Sequence, residues 1–334
     1  MTRVIERYGT LGPSCQSRET LAVLFAQGMT GVRLNLSHSD LDSCTDWLEN
    51  LRAAADDCGV SPDLLIDLKG PELRVGALIK PVSLEEGETV ELGQDGIPVP
   101  ALIFPALRIG QEILLDDGAL LLQVQTFSSS RAACIVRRGG ILKSGKSIAL
   151  PGASIQPPTL TDSDYKNLSL AKQAGVTGVM LPFVRSKEDL LTLRAALQKA
   201  GAQDVRIFAK LENRRGVEVL PELLGNADHI VIARGDLGND MPLWELPAVQ
   251  YQISSLCKKA GKPFMVVTQM LHSMTHAAVP TRAEVSDIFF AVMSGASSVM
   301  LTGETAVGEY PVEAMRYLCK TVDSALTLLQ QNAN

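Results

Sequence analysis

The stretch HIVIARGDLGND, residues 229–240, shows the sequence pattern from which the fold can be predicted. Its residues 230–233 are all apolar, which is typical of a buried β-strand, and Arg234, Gly235 and Asp236 follow that strand at once. Short apolar runs of the same kind recur along the chain. The eight predicted strands are residues 7–12, 31–37, 63–68, 178–184, 205–212, 229–236, 263–270 and 297–304.

Amphipathic helical patterns lie between these strands. One of them opens with Thr281 and Glu284, the T-x-x-E pattern of a capping box, and ends at Gly295. Buried strands that alternate with helices predict an α/β protein with parallel strands, and eight strands favour closure into a (β/α)8 TIM barrel. A flat, doubly wound sheet is the alternative. Such a sheet would more often carry a G-x-G-x-x-G turn after its first strand, and none follows residues 7–12.

The pattern changes after the third predicted strand. Residues 75–152 alternate between apolar and polar positions as β-strands do, with glycine-containing turns between the alternating runs. We expect a small all-β lid domain there, inserted into a barrel made of residues 1–74 and 153–334. Without those residues the chain keeps roughly the 250 residues of a typical barrel.

The composition favours a globular protein of the cytoplasm. Hydrophobic residues make up 46% of the chain and charged residues 20%, which allows a large core. The net charge of -6 argues against a nucleic-acid partner, because such proteins usually carry a basic face. No signal peptide or membrane-spanning run is visible, so we expect no membrane partner. The six cysteines form no C-x-x-C pair and are expected to be reduced thiols.

Polar side chains collect where the predicted strands end, and in a barrel these ends form the rim that carries the active site. Glu212 and Asp236 end neighbouring strands, and two carboxylates so placed suit a divalent, oxygen-ligated cation such as Mg²⁺. Arg33 and Lys210 have the charge to neutralise a phosphoryl group in transit. Gly235 lets a ligand approach the backbone, and the N–H groups of a short helix beginning there would bind a carboxylate.

Ten stretches, in this order and spacing, resemble the pyruvate kinase family over nearly the whole chain. They are TLGPSC (10–15), GMTGVRLNLSH (28–38), DLKGPELR (67–74), LLDDGALLLQV (114–124), LPGASI (150–155), FAKLENRRGV (208–217), VIARGDLG (231–238), AGKPFMVVTQML (260–271), PTRAE (280–284) and MLTGETAVGEYPVEA (300–314). Ten ordered motifs are far more specific than any one of them. The resemblance implies a glycolytic kinase with a barrel and a mobile β lid. Its reaction would transfer a phosphoryl group from phosphoenolpyruvate to ADP, giving pyruvate and ATP.

The resemblance implies two metal sites. Mg²⁺, or Mn²⁺, would be held by Glu212 and Asp236. Glu72 matches the family position whose acid accompanies dependence on K⁺. The K⁺ ligands would be Asn35, Ser37, Asp67 and the carbonyl of Leu68.

The resemblance also implies how the substrates bind. Lys210 would stabilise the transferring phosphoryl group and the enolate, while the backbone of Gly235 and Asp236 would hold the substrate carboxylate. Thr268 would contact that carboxylate and take part in protonating the enolate, in a region that also contains Thr302. The residues facing the nucleotide and its phosphates would be Arg33, Asn35, His38, Arg74 and Lys146.

The chain departs from the family pattern at several positions. Thr302 and Pro182 stand where serines are usual, Val307 replaces a lysine, and His272 replaces an acid. Residues 39–44 lack the usual aromatic and basic residues, which predicts altered adenine binding. The match stops after the eighth helix, so we expect neither the effector site nor the subunit interface of the family's C-terminal domain. The barrel helix with Phe289 and Phe290 is then the expected surface of a homodimer.

Two other functions stay open beside the kinase. The first is a Mg²⁺-dependent lyase or aldolase that acts on a 2-keto acid at the same site, and activity without a nucleotide would favour it. The second is a catalytically weak paralogue that binds phosphoenolpyruvate or pyruvate, and ligand binding without turnover would favour that.

Overall fold

The computed structural model describes residues 4–37, 39–70, 73–116, 118–153, 155 and 157–332. The chain divides into two compact units. One comprises Met1–Gly70 and Thr159–Asn334, and the other comprises Pro71–Pro158. The boundaries predicted for the lid, residues 75 and 152, lie inside the range of the second unit and stay a prediction.

The described residues form fifteen β-strands and eleven α-helices. The strands are β1 (Glu6–Thr10), β2 (Gly31–Asn35), β3 (Asp63–Asp67), β4 (Val82–Leu84), β5 (Thr89–Gly93), β6 (Glu112–Leu115), β7 (Leu120–Phe127), β8 (Arg131–Arg138), β9 (Gly140–Leu142), β10 (Ile148–Ala149), β11 (Gly178–Leu181), β12 (Arg206–Leu211), β13 (His229–Ala233), β14 (Phe264–Val267) and β15 (Ser298–Met300). The helices are α1 (Arg18–Ala26), α2 (Thr45–Cys58), α3 (Asp162–Ala174), α4 (Lys187–Lys199), α5 (Arg214–Glu218), α6 (Leu220–Leu223), α7 (Arg234–Asp240), α8 (Leu246–Lys259), α9 (Arg282–Ser294), α10 (Gly303–Ala306) and α11 (Pro311–Gln331). Within this described part of the chain, no helix combines the length and apolar character needed to cross a bilayer.

Eight parallel strands close a barrel in the order β1, β15, β14, β13, β12, β11, β3 and β2, which confirms the predicted (β/α)8 architecture. Asn35 pairs in register with Asp67, and Ala233 with Val267, so the polar residues that follow these strands come out at one rim. The predicted capping box of α9 is also confirmed, because Thr281 and Glu284 each bind the backbone N–H of the other.

Large side chains seal the barrel interior. Tyr8 and Phe208 are fully buried there, together with apolar residues from the other strands. Two glycines make room for the rings: a Cβ on Gly31 would lie 2.5 Å from a ring carbon of Tyr8, and a Cβ on Gly178 would lie 2.6 Å from one of Phe208. The barrel is therefore a packed core, and binding is left to its rim.

The second unit is an antiparallel β structure. Five strands form a sheet in the order β10, β6, β7, β8 and β5, and β4 pairs with β9 in a two-stranded sheet. Alternate residues such as Ile113, Leu122 and Val136 are buried in a separate hydrophobic core. These strands lie between β3 and β11 along the chain, which confirms a small all-β domain inserted after the third barrel strand.

Candidate active site

Four of the predicted site residues form a network of ion pairs at the rim of the barrel. The Lys210 ammonium, from β12, lies 3.1 and 3.2 Å from the two carboxylate oxygens of Asp67 and 2.7 Å from Glu212 Oε1. Arg33, from β2, donates from Nη2 to Asp67 Oδ2 at 2.6 Å and from Nε at 2.9 Å. All four side chains are at most 13% exposed. They form a desolvated cluster in which each cation touches a carboxylate.

The pKa values in this cluster follow from burial and from the neighbouring charges. Burial by itself would raise the pKa of Asp67, but Lys210 and Arg33 outweigh it and hold that pKa below its usual value. Burial opposes the charge of Lys210, yet Asp67 and Glu212 raise the pKa of its ammonium. Burial raises the pKa of Glu212 to about 7, with Asp236 and Asp67 adding to the effect and Lys210 opposing it.

Glu212 and Asp236 fit the predicted divalent cation. Glu212 is fully enclosed, and its Oε2 accepts the N–H of Phe183 at 2.8 Å. Burial raises the pKa of this carboxyl, and the nearby carboxylates of Asp236 and Asp67 raise it further, so a bound cation would stabilise the charged form. The donors are hard carboxylate oxygens, as Mg²⁺ prefers. Within the described ranges, no group of three or more His, Cys, Asp and Glu side chains could hold a metal ion.

The residues predicted to bind K⁺ adjoin one another at the ends of β2 and β3. Asn35 pairs with Asp67, and Asn35 Oδ1 accepts the N–H of Ser37 at 3.2 Å. Leu68 is held by its own N–H, which donates to the carbonyl of Met180 at 3.1 Å. Amide, hydroxyl, carboxylate and carbonyl oxygens are hard donors, so the set fits an alkali cation.

Gly235 and Thr268, predicted to bind one substrate carboxylate, contact each other directly. The Thr268 hydroxyl accepts the N–H of Gly235 at 2.8 Å and donates to the carbonyl of Val267 at 2.6 Å. Gly235 and Asp236 lie in the first turn of α7, as the sequence predicted. The hydroxyl and the start of the helix therefore face one small volume at the rim.

Thr302 lies beside a buried carboxylate that carries no assigned role in the sequence analysis. Glu304 is 1% exposed and accepts the backbone N–H of Thr302 at 2.7 Å and that of Leu271 at 3.0 Å. The Thr302 hydroxyl lies 3.3 Å from the same carboxylate. Glu304 thus ties the turn after β15 to the turn after β14. Its sequence signals were its place in the GETA stretch (303–306) and at the end of the eighth predicted strand.

Arg234 and Asp287 are the pair that the sequence analysis missed. Arg234 Nη1 lies 2.6 and 2.7 Å from the two oxygens of Asp287 in α9, and its Nη2 donates to the carbonyl of Thr268 at 2.7 Å. An arginine directly after a fully buried strand was a signal, but its partner is 53 residues away.

The second unit contains two of the residues predicted to face the nucleotide. Arg74 donates to the carbonyl of Gly145 at 2.7 Å, and Lys146 pairs with Asp116 at 2.6 Å. The predicted residues His38 and Glu72 lie outside the described residues.

The comparisons with known proteins agree with this barrel fold. The family model "Pyruvate kinase, barrel domain" matches residues 2–315. The pyruvate kinase of Aeropyrum pernix is 37% identical over 314 residues, which cover 93% of this chain and 68% of that protein. The enzyme of Geobacillus stearothermophilus is 36% identical over 92% of this chain and 54% of its own length. A crystal structure of a pyruvate kinase from Cryptosporidium parvum superposes with a TM-score of 0.89 at 32% identity, over 97% of this chain and 69% of that one.

The chain belongs to the pyruvate kinase family and is classed with the pyruvate kinase-like phosphotransferases. It spans between about half and two thirds of the length of the relatives it matches.

Proposed function

We propose that this chain transfers the phosphoryl group of phosphoenolpyruvate to ADP, forming pyruvate and ATP. The observation that supports the reaction most strongly is the Lys210 ammonium, which Asp67 and Glu212 hold as a buried cation at the rim. A fixed positive charge in a desolvated site stabilises the negative charge that grows on the enolate oxygen as the phosphoryl group leaves. Arg33, oriented by Asp67, neutralises the phosphoryl oxygens.

The substrate carboxylate would bind at the start of α7. Its proposed donors are the N–H groups of Gly235 and Asp236 and the hydroxyl of Thr268. The Gly235 N–H, which donates to that hydroxyl, and the hydroxyl, which donates to the Val267 carbonyl, would share their hydrogens with the carboxylate. The proton that converts the enolate into pyruvate would come through the hydroxyls of Thr268 and Thr302. Both of these rim hydroxyls are held by further hydrogen bonds.

Two cations complete the proposal. Glu212 and Asp236 would hold Mg²⁺ or Mn²⁺, which acts as a Lewis acid toward the enolate and phosphoryl oxygens when bound. K⁺ would lie on Asn35, Ser37, Asp67 and the carbonyl of Leu68. For the nucleotide, the family resemblance proposes Arg33, Asn35, His38, Arg74 and Lys146.

We further infer a cytoplasmic, glycolytic role and a homodimer formed through barrel helices. Large apolar side chains are exposed near and on α8 and α9: Trp244 is 82% exposed, Tyr251 71% and Phe290 62%. Light scattering on the protein and on Phe290→Asp tests this assembly. A dimer that becomes a monomer in the variant supports it, and a wild-type monomer contradicts it.

The reaction is tested by following pyruvate from phosphoenolpyruvate with ADP, with GDP and without nucleotide, each with and without Mg²⁺ and K⁺. The proposal predicts pyruvate and the corresponding nucleoside triphosphate in equal amounts, formed only with a nucleoside diphosphate and Mg²⁺ and faster with K⁺. Pyruvate formed without nucleotide would indicate a lyase or aldolase instead. Saturable binding of oxalate, an enolate mimic, without turnover would indicate a binding protein.

A further inference from the structure

Arg234 spans two neighbouring strand ends of the barrel. Its side chain is only 10% exposed and reaches from the end of β13 to the turn after β14. There Nη2 donates to the carbonyl of Thr268 at 2.7 Å, and Nε lies 3.4 Å from the carbonyl of Val267. The guanidinium therefore binds two successive backbone carbonyls, those of Val267 and Thr268.

The turn that Arg234 binds has an uncommon backbone conformation. Thr268 and Gln269 have φ angles of +70° and +53°, so two successive residues with side chains adopt the left-handed conformation. A positive φ angle is unfavourable for a residue with a side chain, and most of all for a β-branched residue such as threonine. A conformation of this kind persists only where its surroundings hold it, and Arg234 supplies donors aimed at its carbonyls.

Gly235, the residue after Arg234, forms a hydrogen bond with the same threonine. The side chain of Arg234 holds the Thr268 carbonyl, while the N–H of Gly235 donates to the Thr268 hydroxyl at 2.8 Å. Two adjacent residues of α7 thereby fix both the backbone and the side chain of Thr268. A release of the carbonyl would let the turn relax and would move the hydroxyl away from Gly235.

Asp287 completes the arrangement from α9. Both of its oxygens contact Arg234 Nη1, so the charge of the buried guanidinium is balanced. A lysine cannot replace this arginine, because a single ammonium does not reach Asp287 and two carbonyls in a planar fork.

We propose that Arg234 and Asp287 are positioning residues that set the Thr268 hydroxyl for carboxylate binding and proton transfer. This inference rests on the proposed function of Thr268. It also means that α9, a helix with no residue in the site, controls the geometry of the site through one carboxylate.

The test uses Arg234→Lys and Asp287→Asn, with Arg194→Lys as the matched control. Arg194 makes the same kind of contacts far from the rim, to the carbonyl of Val205 and to Asp228. Three quantities are measured: the steady-state kcat and KM for phosphoenolpyruvate, the exchange of pyruvate methyl hydrogens in D₂O by NMR, and the Kd of oxalate with Mg²⁺ by calorimetry. The hydrogen exchange isolates the proton-transfer step, which a merely structural residue would not affect selectively.

We expect Arg234→Lys to weaken oxalate binding and to slow hydrogen exchange by about tenfold or more, because small displacements of a catalytic group have such effects. Asp287→Asn is expected to follow in the same direction with a smaller loss, and Arg194→Lys to match the wild type. If both site variants match Arg194→Lys in oxalate affinity and exchange, the inference is wrong. Absence of turnover in the wild type would overturn the proposed function instead, and the oxalate affinities would still decide the role of Arg234.

Discussion

The Lys210 ammonium contacts the Glu212 carboxylate at 2.7 Å, although neither side chain is more than 12% exposed. Because Asp67 also contacts the ammonium, Lys210 keeps one carboxylate when Glu212 changes its charge. Glu212 is thus free to serve a cation without leaving Lys210 unpaired. In the proposed function the two carboxylates around one lysine have different tasks, so their variants should differ accordingly.

Replacing Glu212 with glutamine should abolish most Mg²⁺-dependent activity while leaving the fold intact. The raised pKa of Glu212, about 7, means that a neutral side chain is already well tolerated there without a metal. We expect the free energy of unfolding at pH 7 without metal to change by about 1 kcal/mol or less. Urea unfolding and a Mg²⁺ titration of turnover check the two halves of this prediction. Unaltered Mg²⁺ dependence would exclude Glu212 as a ligand.

Replacing Asp67 with asparagine should destabilise the protein. Arg33 would lose the carboxylate that balances its buried charge and Lys210 would lose one of its two, at a cost of about 3–5 kcal/mol. Since the pKa of Asp67 is lowered on folding, its contribution is present above the unfolded pKa and is lost as the pH falls toward the folded one. Urea unfolding of Asp67→Asn beside Glu212→Gln measures the difference. Equal stability of the two variants would contradict the assigned division of tasks.

His229, at the start of β13, should make the protein sensitive to mild acid. It stacks on Phe208 at 4.3 Å, and burial lowers the pKa of its imidazole to about 4. Because the folded state disfavours the charged ring, stability is full above the unfolded pKa of about 6.5 and declines as the pH falls from there toward 4.

The substitution His229→Leu should therefore remove part of the acid sensitivity. Over that range the wild type should lose about 3 kcal/mol relative to the variant, as the shift in pKa implies. His276, exposed and paired with Glu309, provides the control substitution His276→Leu. Urea unfolding between pH 7 and 4.5 measures the free energy of unfolding of each protein. The same pH dependence in the wild type and in His229→Leu would show that the imidazole is not buried in its neutral form.

The barrel was predictable because its strands are buried on both faces and its helices carry local signals. Parallel strands appear as continuous apolar runs, and the Thr281 capping box marks a helix start from four residues alone. The proximity of Asp67, Lys210 and Glu212 was predictable from the eight strands of the barrel, because the carboxyl ends of all eight strands share one rim.

The hydrogen bonds by which Arg234 holds Thr268 were not predictable in the same way. They depend on two positive φ angles and on Asp287, which lies far along the chain, and neither leaves a local pattern. The strand order of the inserted β unit is likewise set by pairs distant in sequence, such as β5 with β8. Local periodicity identifies strands there but does not determine which strands are neighbours.

In the proposed function, Lys210 is the cation that stabilises the transferring phosphoryl group and the enolate. The most direct test compares Lys210→Met with Lys187→Met, the same change at an exposed lysine of α4, in the coupled assay with phosphoenolpyruvate, ADP, Mg²⁺ and K⁺. Loss of kcat by about 10²-fold or more in Lys210→Met alone is the predicted result. Turnover of Lys210→Met at the rate of the wild type would contradict the account.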